Sequence, residues 1–197
     1  MGIVIIKYNA GNVFSVKCAL HRIGVDAVIT DDKEIIMNAD KVIFPGVGEA
    51  STAMAYLRQH RMDEMIKSLT QPVLGICIGM QLLCKHSQEG NTDCLGIFDT
   101  MVMRFDNSNS PLNKIPHMGW NTIEVMPNEL VDASFDNKFV YFVHSYYAPV
   151  NEFTVAKSSY INEFSSILKK DNFYATQFHP EKSGTIGEQI LKNFIGL

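Results

Sequence analysis

The sequence predicts an α/β fold: a doubly wound, mostly parallel sheet with helices on both faces and a β-rich antiparallel extension in the second half. Three observations predict it. Short continuous apolar runs such as Ile3–Ile6 have the character of strands buried on both faces. Segments with helical periodicity lie between these runs, and such an alternation builds a parallel sheet through crossover helices. From Met101 onward the pattern changes to β-rich segments separated by turn residues.

Taken in order, Ile3–Ile6 is the first strand. Asn12 is placed to cap a helix that runs to about Ile23, with Val13, Val16, Leu20 and Ile23 on one stripe and Gly24 at its end. Residues 26–29 read as the second strand, and Asp31 and Asp32 open a short helix. Residues 41–44 form a third strand that runs into the turn-forming stretch Pro45-Gly-Val-Gly48. Helices are expected over 50–60 and 63–69, a fourth strand over 73–76 and a further helix over 78–86. In the second half, strands are expected at 102–105, 120–125, 139–143, 153–158, 166–168 and 173–177, as hairpins on the edge of the same sheet, with a surface loop at 106–111. An amphipathic helix over 185–195 carries Ile186, Ile190, Leu191 and Phe194. No repeat, low-complexity tract or linker divides the chain, so residues 1–197 are read as a single domain.

A chain of 197 residues with 46% hydrophobic and 19% charged residues is long enough for one well-buried core. Its net charge of −4 argues against a nucleic-acid partner, which requires clustered Lys and Arg. No apolar run approaches a membrane span, and the first residues lack the basic stretch and long apolar run of a signal peptide. A cytoplasmic setting is expected. Cys18, Cys77, Cys84 and Cys94 then remain thiols, and their spacing suggests no zinc site. Cys84 is expected to face the core.

The chemistry centres on Cys77, in Gly75-Ile-Cys-Ile-Gly79, where an apolar strand meets a helix. Gly-x-Cys-x-Gly is the thiol form of the nucleophile elbow, a turn so tight that its neighbours must be nearly free of side chain. It exposes the sulfur above the sheet, facing helix N–H groups and partial positive charge that suit an anion. Alone, the motif fits a buried structural cysteine as well. A nucleophilic cysteine needs a base, and the base needs an orienting group. His179 and Glu181, in Thr176-Gln-Phe-His-Pro-Glu-Lys182, leave a strand end, where open α/β sheets build active sites. Pro45-Gly-Val-Gly48 also follows a strand end. Its backbone N–H groups, with the N–H of Ile78, suit an oxyanion hole, although a plain tight turn has the same composition.

Pro-Gly-Val-Gly, Gly-Ile-Cys-Ile-Gly-Met-Gln-Leu-Leu and Gln-Phe-His-Pro-Glu, in this order, resemble the triad-type (class I) glutamine amidotransferases over nearly the whole chain. The resemblance implies hydrolysis of the glutamine side-chain amide to glutamate and ammonia. It makes Cys77 the nucleophile, His179 the acid/base and Glu181 its orienter, with Val47 and Ile78 at the oxyanion and Gly46, Gly48 and Gln81 around the substrate. Ile115-Pro-His-Met-Gly-Trp-Asn121 and Tyr141-Phe-Val-His-Ser-Tyr146 are similar to signatures of one branch, the glutaminase subunits of imidazole glycerol phosphate synthases in histidine biosynthesis. That similarity implies docking on a separate (β/α)₈-barrel cyclase subunit, which receives the ammonia and makes imidazole glycerol phosphate and an aminoimidazole carboxamide ribotide. It places Ser145 and Tyr146 beside the glutamine and Met118, Trp120, Tyr141 and Lys182 on the docking face, although Trp120 suits a core position nearly as well. His117 and His144 are expected to be structural. No cofactor and no metal are implied.

One loop departs from the family pattern. Where the family has an acidic residue and then Tyr-Gly-x-Gly-Asn, this chain reads Lys7-Tyr-Asn-Ala-Gly-Asn12: Tyr8, Gly11 and Asn12 match, Lys7 and Asn9 do not. The departure touches local contacts, not the triad. Three other readings stay open on sequence alone: the glutaminase serving pyridoxal phosphate synthesis, a stand-alone cysteine hydrolase on the same fold, and a non-catalytic binding module.

Overall fold

The computed structural model describes residues 2–9, 11–108 and 112–197, so Ala10 and the last three residues of the expected 106–111 loop lie outside the described residues. Apolar runs and periodic stripes set the elements. In order they are β1 (Ile3–Ile6), α1 (Val13–Arg22), β2 (Ala27–Thr30), α2 (Lys33–Met37), β3 (Lys41–Gly46), α3 (Ala50–Gln59), α4 (Met62–Lys67), β4 (Val73–Cys77) and α5 (Ile78–Leu83). The second half holds β5 (Cys84–Ser87), β6 (Thr92–Asp93), β7 (Phe98–Arg104), β8 (His117–Val125), β9 (Lys138–His144), β10 (Tyr146–Tyr147), β11 (Thr154–Ser159), β12 (Glu163–Lys170), β13 (Phe173–Thr176) and α6 (Gly184–Gly196).

The described residues form a nine-stranded sheet in the order β2-β1-β3-β4-β13-β12-β11-β8-β9. Its first five strands are parallel, and every pairing from β13 to β9 is antiparallel. Both faces are apolar, as a parallel sheet between helices requires. Ile3, Ile5, Ile43, Leu74 and Ile76 pack with Leu20 of α1 and Leu191 and Phe194 of α6 on one face. Val4, Ile6, Val42, Phe44 and Val73 pack with Ile36, Met54, Leu57 and Ile66 on the other.

Two expectations need correction. The helix after Cys77 stops at Leu83 rather than reaching His86. The N–H groups of Leu95 and Gly96 take the carbonyls of Leu82 and Cys84 at 2.8 Å, and β5 then runs parallel to β7. The strands of the second half also do not all extend the main sheet: β7 and β10 join β5 and β6 in a separate four-stranded sheet. Cys84 is fully buried, as expected.

The core of the β8–β9 hairpin is polar at one point. His144 Nδ1 lies 2.7 Å from the Tyr146 carbonyl, so it is the protonated nitrogen; His144 Nε2 then accepts from His117 Nδ1 at 3.0 Å. His117 Nε2 in turn accepts from Asn121 Nδ2 at 3.4 Å, and its ring stacks on Tyr160 with centroids 4.1 Å apart. Burial pushes His117 down to about 4 and His144 to about 3, so both rings are neutral and structural.

Two outcomes follow. A Cβ added at Gly79 would sit 1.8 Å from the Phe44 carbonyl oxygen, a backbone atom that cannot swing away. Gly79→Ala is expected to cost about 3 kcal/mol or more, lowering the melting temperature by roughly 6–12 °C, and an unchanged melt would contradict the packing. The histidine pair sets an acid limb. Both rings start from 6.5 in the unfolded chain and lie lower in the fold, so the unfolded state binds more protons in that window. Their contribution is complete above pH 6.5 and is lost as pH falls towards 4 and below. The melting temperature is expected to drop over that range while the ring NMR signals of both histidines hold still between pH 8 and 6; rings that titrate near 6.5 would overturn it.

Candidate active site

β4 ends at Cys77 in a conformation of φ 56° and ψ −109°, outside the strand and helix regions. Tight flanks make that turn possible, and α5 starts at the next residue. Gly46, at the end of β3, pairs in register with Cys77, which brings Pro45-Gly-Val-Gly48 alongside the elbow. On the other side, β13 runs parallel to β4, with Thr176 opposite Ile76. The chain leaving β13 therefore delivers His179 and Glu181 to the same edge, and the His179 N–H donates to the Tyr141 carbonyl at 2.9 Å.

These elements enclose a cavity of about 280 Å³ lined by Val47, Gly48, Cys77, Ile78, Gln81, Glu89, Pro116, Val143, His144, Ser145, Tyr146 and His179. His179 Nδ1 lies 2.7 Å from Glu181 Oε1 with both side chains fully buried. Burial opposes charge on the His179 ring. Hydrogen bonding to Cys77 and Glu181, together with their negative charges, outweighs it and lifts the ring to about 10. Nε2, the ring nitrogen that Glu181 does not hold, is buried and lies on the cavity side, where a proton could pass between sulfur and a bound molecule. Such a trio can take a proton from a thiol, hold it, and return it to a leaving group.

Of the expected site residues, Cys77, His179, Val47, Gly48, Ile78, Gln81, Ser145 and Tyr146 come together around this cavity, with Glu181 bonded behind His179. Gly46 lies behind the wall, packed against the Tyr8 hydroxyl, and does not line the cavity. Gly48 has φ 118°, a backbone geometry that only glycine adopts readily. Gln81 Nε2 donates to the Tyr146 carbonyl and to Gln177 Oε1, each at 3.0 Å, and its own Oε1 is buried and unpaired among the described residues. Met118, Trp120, Tyr141 and Lys182 lie outside the cavity. Met118 and Trp120 are 63% and 56% exposed, so Trp120 belongs to the surface, where it makes an edge contact with Tyr141.

Three neighbours escaped sequence reasoning. Asn12 holds the residue position before α1, but its side chain does not cap the helix: Nδ2 donates to Glu181 Oε1 at 2.5 Å. Its signal was its match to the family's Tyr-Gly-x-Gly-Asn loop after the first strand, which named no role for it. Glu89 lines the cavity, its Oε2 accepting from the Ala50 N–H at 2.8 Å. Burial pushes this carboxyl above the usual range, against the pull of the Ala50 N–H. It was invisible because the expected helix past Leu83 sent this stretch elsewhere. Gln177 sits beside the triad motif and is completely buried. The departures at Lys7 and Asn9 are exposed; Asn9 Nδ2 donates to the Thr52 carbonyl at 3.1 Å.

Residues 5–196 match the family described as Glutamine amidotransferase class-I. The chain is 61% identical to the imidazole glycerol phosphate synthase subunit HisH of Bacteroides fragilis (strain YCH46), covering the whole of both chains. It is 44% identical to the HisH subunit of Escherichia coli (strain K12), over 99% of each chain. In three dimensions it resembles a solved glutamine amidotransferase at a TM-score of 0.74, with 20% identity over 99% of this chain and 98% of the other. PurLQS from Thermotoga maritima gives a TM-score of 0.71 at 14% identity, covering 98% of this chain and 97% of the other. Those two likenesses speak for the fold, whereas the family match spans the elbow, the His179–Glu181 pair and nearly everything between. The chain belongs to the class-I glutamine amidotransferase family.

Proposed function

We propose that this chain is the glutaminase subunit of an imidazole glycerol phosphate synthase, one amidotransferase domain over residues 1–197 that hydrolyses glutamine through Cys77, His179 and Glu181. The observation that carries the reading is the cavity in which the elbow sulfur and the His179–Glu181 pair meet the unpaired Gln81 Oε1 and the Glu89 carboxylate, one of whose oxygens is held by the Ala50 N–H. Those acceptors suit the α-ammonium group of an amino acid, and the main-chain N–H groups of the lining residues Val47 and Ile78 suit the amide oxygen as it gains charge. Full-length identity of 61% to a HisH subunit supports the choice within the family.

The chemistry follows from the geometry. His179 takes the Cys77 proton, held in its charged form by Glu181. The sulfur forms a bond to the amide carbon, and the electron pair moves to the oxygen. Collapse of that oxyanion expels ammonia, which leaves with the proton from His179. Water then attacks the thioester with His179 as base, the C–S bond breaks, and glutamate departs.

The ammonia has a partner to reach. Met118 pairs with Val143 across the β8–β9 hairpin, and Val143 also lines the cavity, so the exposed apolar face of Met118, Trp120 and Tyr141 runs up to the cavity mouth. Lys182 is exposed in the short helical turn after His179. Exposed apolar patches of this kind mark interaction surfaces, with large aromatics as anchors. A (β/α)₈ cyclase subunit docked there would seal the mouth and take the ammonia. No helix among the described residues is long and apolar enough to cross a membrane, and a cytoplasmic setting suits the four unpaired cysteines.

Glutamine turnover tests the reading. The wild-type chain is expected to hydrolyse glutamine slowly alone and faster with the barrel subunit and an acceptor analogue, by roughly a hundredfold if one oxyanion donor is gained. Cys77→Ala is expected to abolish turnover while leaving melting and co-elution with the barrel intact. Equal rates in all arms would favour a stand-alone hydrolase, and substantial turnover by Cys77→Ala would falsify the nucleophile. Asn12→Ala removes a donor to a buried carboxylate. It is expected to lower kcat by roughly tenfold to a hundredfold with little change in KM. A normal kcat would show that Glu181 orients His179 unaided.

A further inference from the structure

The Tyr146 carbonyl fixes the direction of every hydrogen bond around it. A carbonyl only accepts, so Gln81 Nε2, 3.0 Å away, must be the donor end of its amide. The Gln177 atom 3.0 Å from that same Nε2 must then be an oxygen. The remaining polar atom of Gln177 is consequently its NH₂ group, and it faces the Cys77 sulfur at 3.9 Å. Gln177 is completely buried, its acceptor occupied by Gln81 and its donor turned to sulfur, whose large radius lengthens such bonds. Of its chain neighbours, Phe178 is apolar core and Thr176 satisfies its hydroxyl on the Phe178 carbonyl, so the Gln177 amide serves neither and, among the described residues, meets only Gln81 and Cys77.

We propose that Gln177 is a further catalytic residue, whose Nε2–H supports the Cys77 sulfur as an anion while its Oε1 is held by the substrate-gripping Gln81. The inference rests on the assignment of Cys77 as nucleophile. When the thiol proton passes to His179, the electron pair stays on sulfur against the Gln177 N–H. Formation of the C–S bond moves the charge to the amide oxygen. When water opens the thioester, the C–S bond breaks and the pair returns to sulfur, opposite the same donor. Gln81 thus touches the substrate through one end of its amide and orients the donor at the nucleophile through the other.

The test is alkylation of Cys77 by iodoacetamide in the full chain at pH 7, followed by mass spectrometry of the Cys77 peptide, with melting curves for each variant. Gln177→Met removes donor and acceptor. Its alkylation is expected to slow about tenfold and recover at higher pH, with a lower kcat and a raised KM as Gln81 loses its partner. Gln177→Glu keeps the acceptor for Gln81 and loses the donor, so alkylation and kcat fall while KM stays within about twofold. Should Gln177→Met melt below the assay temperature, Gln177→Glu carries the test. A merely structural amide would change melting and leave alkylation alone, and wild-type alkylation in either folded variant overturns the proposal. The parent assignment is read separately: if complete alkylation of wild-type Cys77 leaves glutamine turnover intact, the nucleophile itself is wrong.

Discussion

The backbone of Cys77 is the constraint on which the site depends. A side-chain-bearing residue at φ 56° and ψ −109° costs on the order of 1–3 kcal/mol, and the fold holds it there by pressing Gly79 against the Phe44 carbonyl. The β3–β4 register and the apolar packing of the parallel strands over-determine the turn. From it the rest follows. Cys77 is buried against the core rather than exposed above the sheet as expected and meets only the cavity, α5 begins at once, and Gln81 lies one helical turn on, where it too lines the cavity. Relaxing the turn would move sulfur, helix start and Gln81 together.

β9 ties the inside of the site to its outside. The Tyr141 carbonyl accepts from the His179 N–H, and the Tyr141 N–H donates to Ser183 Oγ, each at 2.9 Å. Ser183 Oγ returns to the His179 carbonyl at 2.7 Å. The Val143 carbonyl faces the Cys77 sulfur at 3.9 Å. The strand that holds the His179 backbone therefore carries Tyr141 on the proposed docking face. A partner that shifts β9 has a short mechanical route to the proposed acid/base, through hydrogen bonds rather than distance alone. Beneath, the neutral His117–His144 pair anchors the Tyr146 carbonyl, which also receives Gln81.

The parallel half of the fold and the meeting of Cys77, His179 and Glu181 were legible because strong local signals coincide there. Apolar runs give β1, β3 and β4, Gly75 and Gly79 frame Cys77, and a single proline separates His179 from Glu181. What was missed depends on contacts distant in sequence. The end of α5 is set by Leu95 and Gly96 capturing its carbonyls, which no local propensity announces. The second sheet exists because β5 pairs with β7, and Glu89 reaches the cavity as a consequence. Asn12 looked like a helix cap, its commonest use, yet a left-handed backbone at φ 77° turns its side chain to Glu181. Trp120 was ambiguous because a β-strand has two faces, and only the pairing register assigns it to the outer one.

The central claim is that the elbow aims the Cys77 sulfur at the carbon of a bound glutamine side chain. The most direct measurement is covalent capture by a glutamine analogue that carries a diazoketone in place of the side-chain amide, followed by peptide mass spectrometry. The account predicts stoichiometric addition at Cys77, with exposed Cys18 untouched and glutamine itself protecting against the reaction. Addition at Cys18 or Cys94 in preference to Cys77, or labelling of Cys77 that glutamine does not slow, would contradict it.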